Sequence, residues 1–196
     1  MEIVEIIDQI NSKYAEHKDC STIVEKISHM SENFDMAFGL AIKVASSDSL
    51  NDKKIAKELY LKAIEYAWTM NHKYQIIDNL LKDGGLQDKE LAKSVCIMVA
   101  EESTILAYYV RLIETIMEHY DDRSWAEEVA NKAFSKIQKP SNGFEPWDSF
   151  NGEIKWFEKT VANDKGLNDK ELAEKIMTFY KKNNGLVGKI KRMLNL

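Results

Sequence analysis

Histidine is the side chain best suited to metal binding or acid–base work near neutral pH, and the chain has four: His17, His29, His72 and His119. No two stand four apart, as a helical zinc pair requires, and none completes the Glu-x-x-His step of a di-iron bundle. Glu25 and His29 share a helical face, which is half a metal site and, more commonly, an ordinary i,i+4 ion pair. Glu118-His119-Tyr120-Asp121-Asp122 gathers acceptors without the interspersed glycine of a calcium loop, and reads as the cap of a following helix. The neighbours Glu101-Glu102 and Glu127-Glu128 diverge by about 100° around a helix, so neither pair can serve one substrate. Cys20 and Cys96 lack metal or redox spacing, and Cys96, inside Val95-Cys96-Ile97-Met98-Val99, reads as a buried thiol. No nucleophile elbow, phosphate-cradling loop or dinucleotide fingerprint occurs, and Gly84-Gly85 reads as a helix stop. The expectation is a protein without catalytic residues, cofactor or metal, hence not an enzyme.

Aromatic residues give the chain its most unusual stretch. Phe144, Trp147, Phe150, Trp156 and Phe157 fall within fourteen residues, beside a segment from Lys139 to Trp147 that holds both prolines. Two readings stay open for them. They fold back and seal a gap left by a long connection, or they form an anchor surface for a partner, since Trp and Tyr dominate interface hot spots. On the second reading Phe144, Trp147, Phe150 and Trp156 are the candidate partner-binding residues. The tail carries Leu186, Val187, Ile190 and Leu194 among Lys189, Lys191 and Arg192. It reads as a cap on the last unit, or as an amphipathic helix that meets an acidic partner or an anionic membrane surface.

Composition narrows the function classes. Across 196 residues, 27 Lys and Arg face 32 Asp and Glu, for a net charge of −5. The signs are interleaved, which argues against a nucleic-acid binder. Hydrophobic residues at 44 % disfavour disorder. Glu2, Glu5 and Asp8 stand where a signal peptide would be positive, and no apolar run is long enough for a membrane span. A cytoplasmic location is expected.

The elements that would carry these residues are helical. Apolar residues recur at helical spacing almost throughout, and alternating runs are nearly absent. Helices are expected from Ile3 to Tyr14, from about Asp19 to Met30, and from about Phe34 to Ala45. Further helices are opened by Asp52, Asp88, Ser103, Asp122 and Asp169. Others carry Tyr74 to Leu81 after a break at Met70-Asn71-His72, Phe150 to Val161, and Leu186 to Leu196. That makes about eleven. Leu50-Asn51-Asp52-Lys53-Lys54-Ile55-Ala56 returns as Leu86-Gln87-Asp88-Lys89-Glu90-Leu91-Ala92 and as Leu167-Asn168-Asp169-Lys170-Glu171-Leu172-Ala173. Looser copies centre on Asp122 and Asp19, and the five aspartates are 33, 36, 34 and 47 residues apart. Such a period marks stacked repeats, in which no unit can bury its own apolar face. The predicted organisation is one helical-repeat domain over 1–196. It has a degenerate unit at 1–49, repeats at 50–85, 86–119 and 120–166 with a long loop at 139–149, and a final unit and cap at 167–196.

Ala56, Tyr60 and Ala63 follow the small–aromatic–small spacing of a second helix, and the segment Asp52 to Ala63 resembles a tetratricopeptide repeat. Ala126, Ala130 and Ala133 keep the spacing without the aromatic. Ala92, Cys96 and Val99 keep it approximately, and Ala173, Met177 and Tyr180 lose the final small residue. Small residues let helix axes approach to about 8–9 Å. The family's first-helix signature and closing proline are absent, so the likeness covers about half of each unit within 50–181. It implies an all-α fold, a right-handed stack of antiparallel helical hairpins (an α-solenoid) whose inner face binds a protein or peptide. The function expected is a non-enzymatic interaction module, an adaptor or scaffold. The alternative is a small acidic helical protein of immunity or antitoxin type that neutralises a basic partner.

Overall fold

A computed structural model describes residues 33–46, 51–138, 151–164 and 166–184. Among them the fold is all-α, with eight helices and no strand. These are α1 (Phe34–Ala45), α2 (Lys53–Glu65), α3 (Met70–Leu81), α4 (Lys89–Glu102), α5 (Leu106–His119), α6 (Arg123–Gln138), α7 (Asn151–Ala162) and α8 (Lys170–Asn184). The count is eight, not about eleven; the helices expected near 3–14, 19–30 and 186–196 lie outside the described residues. The chain divides into two compact units, Met1–Met98 and Val99–Leu196, with the boundary inside α4.

Each of the four copies among the described residues turns out to be one corner; the copy centred on Asp19 lies outside them. Asp52, Asp88, Asp122 and Asp169 each accept a hydrogen bond from the backbone N–H three residues on, at Ile55, Leu91, Trp125 and Leu172, over 2.9–3.0 Å. A carboxylate there satisfies one of a helix's unpaired N–H groups and suits the positive end of its dipole. The residue just before each cap is left-handed: Asn51 (φ 49°), Gln87 (φ 57°), Asp121 (φ 51°) and Asn168 (φ 51°). Asn and Asp tolerate that conformation better than most residues, which accounts for three of the four choices. Two corners share a further bond: the Asp52 N–H donates to the Val44 carbonyl (3.1 Å) and the Asp169 N–H to Val161 (2.9 Å). The helix starts on both sides of these two corners, 34 and 53 against 151 and 170, are shifted by the same 117 residues. Gly85 and Gly166 each stand three residues before a capping aspartate. A Cβ at Gly85 would run into the Asn79 carbonyl, and one at Gly166 into that of Thr160.

In the first unit α1 packs most closely on α2, and α3 touches both. Alanines make the approach close: Ala37, Ala41, Ala56 and Ala63 are fully buried. Phe38 meets Tyr60 edge-on across the α1–α2 contact, with ring centroids 6.1 Å apart. Phe34 stacks on His72 of α3 at 3.9 Å. Lys57 on α2 pairs with the Asp88 cap at 2.6 Å. Partial burial alone would raise the Asp88 carboxyl; hydrogen bonds from Lys57 and from the Leu91 and Glu90 backbone outweigh it and hold the group below its usual value.

In the second unit α5 packs on α6 and on α7, and α7 on α8. Leu112, Ile113, Ile116, Ala130, Ala133, Phe157 and Val161 are fully buried. Phe134 of α6 and Phe179 of α8 meet edge-on at 5.9 Å. Of the remaining positions with small-residue spacing, Ala92 and Cys96 in the first unit and Val99 and Ala126 in the second are fully buried, whereas Met177 and Tyr180 are half-buried.

Two helix starts differ from expectation. Met70-Asn71-His72 is no break: it forms the first turn of α3, because Thr69 Oγ1 accepts the His72 N–H at 3.1 Å. Ser103 does not cap the helix after it. The N-cap is Ile105, whose side chain makes no capping bond, and the Ser103 hydroxyl instead accepts the Ile105 N–H at 3.3 Å.

Candidate interaction surface

Of the four aromatic residues expected at a partner surface, Phe144, Trp147 and Phe150 lie outside the described residues. Trp156 is described, and it is not core. Its ring is 40 % exposed on α7, while the adjacent Phe157 is fully buried. That split follows from the helix: residues 154, 157, 160 and 161 form the buried stripe, and 156 sits on its border. The indole Nε1–H donates to Glu114 Oε1 of α5 at 3.1 Å, and Thr160 Oγ1, one turn further along α7, donates to the same oxygen at 3.1 Å. The Trp156 ring is therefore held from one edge while much of its surface faces solvent. On the same side of α7, one turn earlier, Glu153 Oε2 is buried with no hydrogen-bond partner among the described residues.

A second tryptophan was not singled out by sequence. Trp68, between α2 and α3, is 86 % exposed, the most exposed large apolar residue described. Its backbone N–H closes on the Tyr66 carbonyl at 3.0 Å. Leu61, 45 % exposed, lies seven residues earlier on α2. The available signal was Thr69: as an N-cap it puts residue 68 outside both helices, where an aromatic has no helical neighbour to pack on.

The other concentration of polar groups is the α4–α5 corner. Tyr109 Oη donates to the carbonyls of Ala100 (2.9 Å) and Ser103 (3.0 Å), sharing one proton between them. Lys136 Nζ, from α6, reaches the Ser103 carbonyl at 2.7 Å and that of Glu101 at 3.3 Å, and lies 5.3 Å from the Tyr109 ring centre. Burial pushes the Tyr109 phenol up to about 12, and burial with the charge of Lys132 pushes the Lys136 ammonium down. The phenol proton is committed to backbone, so this cluster closes a helix end and offers no acid–base pair to a substrate.

Cys96 is fully buried, and burial, with a smaller push from Asp78, raises its thiol to about 12, far from a reactive thiolate. Asp122 of the acceptor-rich 118–122 segment is engaged as the α6 cap. Among the described residues no three His, Cys, Asp or Glu side chains gather as a metal-binding group. Glu25, His29, His17 and Cys20 lie outside them. Nor is any described helix long and apolar enough to cross a membrane.

Compared with family models, with curated proteins and with solved structures, the chain matches none.

Proposed function

We propose that the chain is a non-enzymatic protein-interaction module, an adaptor or scaffold, built of right-handed stacked antiparallel hairpins of tetratricopeptide-like kind. One observation carries most of this reading: a tryptophan on a helix surface, 40 % exposed, whose indole N–H is tied down by a carboxylate from the neighbouring helix. Rigid, partly exposed aromatics are what interfaces use as anchors, because little side-chain freedom is lost when a partner covers them. The hairpin plan supports it. In each unit the helices that precede the aspartate corners contact one another, α1 with α3 and α5 with α7, which is the contact a stack of hairpins needs. The partner is a protein or peptide, the location cytoplasmic.

The neutralising-protein reading has its own support. Residues 101–128 hold eight Asp and Glu against two Arg, although the whole chain carries only −5. Such an acidic stretch would draw in a basic protein, with association slowing steeply as salt rises.

Affinity capture from native lysate with wild-type, Trp68→Ala and Trp156→Ala chains tests the proposal. A partner held by wild type and lost by one tryptophan variant supports it. Equal recovery with all three, at unchanged melting temperature, removes both surfaces from consideration.

A further inference from the structure

The turn that ends α3 carries Asp83-Gly84, the chain's one aspartate–glycine step. A side-chain carboxyl can close on the amide nitrogen of the next residue to form a five-membered imide. Glycine hinders that closure least, because it has no Cβ. Lys82, Asp83 and Gly84 are all exposed. Among the described residues the Asp83 carboxylate has no hydrogen bond or ion pair, and the Gly84 N–H is tied to no carbonyl. No atom lies within 4 Å of where a Gly84 side chain would stand, so a ring has room. The aspartates at the corners differ on every count. Asp52, Asp88, Asp122 and Asp169 are occupied as caps, and each precedes a helical lysine or arginine whose side chain crowds the amide. The brake on Asp83 is one turn bond, from the Gly85 N–H to the Lys82 carbonyl at 3.2 Å, with Gly84 at φ 77°. Breaking one such bond slows ring closure by about tenfold at most. Gly84 takes up the rotation at Asp83, since glycine accepts either sign of φ.

From this geometry we infer that Asp83-Gly84 is a site of spontaneous isoaspartate formation, a covalent change that loosens the connection between α3 and α4. The Gly84 amide nitrogen bonds to Asp83 Cγ, and its proton leaves with the carboxyl OH as water. Water then opens the imide at either carbonyl. One opening restores aspartate; the other leaves the main chain running through the side-chain carboxyl, one methylene longer. Solvent is the only co-reactant. The extra length falls just before Gly85, which packs so closely on α3 that a Cβ there would meet the Asn79 carbonyl. It must therefore be absorbed on the far side, where Leu86 is buried and Asp88 caps α4 while pairing with Lys57.

The test incubates the full chain for weeks at body temperature and mildly acidic pH, in water enriched in heavy oxygen. Imide opening leaves one heavy oxygen on residue 83. Digestion with trypsin in ordinary water, followed by electron-transfer fragmentation, locates the label and tells isoaspartate from aspartate. A synthetic peptide of residues 79–88 gives the unconstrained rate. Residue 83 of the folded chain should take up label within about tenfold of that rate, with isoaspartate among the products. Asp88, in the same stretch but followed by Lys89, is the internal standard and should stay unlabelled. Asp83→Glu keeps the charge, needs a six-membered ring and should take up none. On the unmutated protein, label at residue 83 more than about tenfold slower than in the peptide, or equal label at Asp88, overturns the site. The isoaspartate fraction, separated by ion exchange, should melt below the starting protein; identical melting overturns the loosening.

Discussion

Where α2 gives way to α3, Trp68 stands 86 % exposed; where α4 gives way to α5, Ser103 is wholly buried. Both connections join consecutive helices, and both must deal with carbonyls at the end of a helix. The α2 end is closed by its own chain: Tyr66 N–H returns to Lys62, Ala67 to Ile64 and Trp68 to Tyr66, over 3.0–3.3 Å. The α4 end is closed by side chains from elsewhere, with Tyr109 on Ala100 and Ser103 and Lys136 on Glu101 and Ser103. The contrast teaches where a fold has freedom. A corner that satisfies its own backbone asks nothing of neighbouring side chains, so the exposed Trp68 ring is not needed to close it. A buried corner depends on imported donors, so Tyr109 and Lys136 are fixed by stability.

The strongest way to break this contrast is Tyr109→Phe. It removes one buried hydroxyl and leaves carbonyls short of a donor, so unfolding free energy should fall by about 1–3 kcal/mol in a denaturant titration. A loss below a few tenths would mean that the α4–α5 corner closes itself as well. Lys136→Met keeps most of the aliphatic stem and deletes the ammonium; a smaller loss, about 1 kcal/mol, is expected in the same measurement. Asp88 extends the comparison to a cap held by a partner. Its folded carboxyl is lowered, so its contribution is present above the unfolded value and is lost as pH falls through the lowered folded one. Acid melts of wild type and Asp88→Ala should therefore converge in that window, after differing by about 1 kcal/mol at neutral pH. The smallest effect belongs to Trp68→Ala, within about 0.5 kcal/mol of wild type. The fluorescence it removes should be a red-shifted, readily quenched component; a blue-shifted one would place Trp68 under cover.

Much of the helical skeleton was legible because its signals are local. Asp52, Asp88, Asp122 and Asp169 each stand before a stripe of apolar residues, and each does cap a helix. The left-handed residue before each cap was hidden, although Asn51, Asp121 and Asn168 carried the hint. Thr69 and Ser103 show the limit of reading caps from residue type. Both hydroxyls bond a nearby N–H, and only the backbone path decides which one starts a helix. Trp156 was marked as a surface candidate by aromatic crowding, but its link to Glu114 spans 42 residues and no periodicity announces it. Tyr109 and Lys136 were illegible for the same reason. Their roles depend on carbonyls brought near by tertiary packing, and carbonyls leave no mark in a sequence.

The equal gauge of the α1–α2 and α7–α8 corners has a consequence for how such a chain can be rearranged. In both, the aspartate N–H binds the carbonyl of a valine eight positions earlier, with a left-handed Asn ahead of the aspartate. Because the two connectors have the same span, exchanging the α1–α2 segment for the α7–α8 segment would preserve the path of the chain through the corner, and the apolar faces alone would have to be refitted.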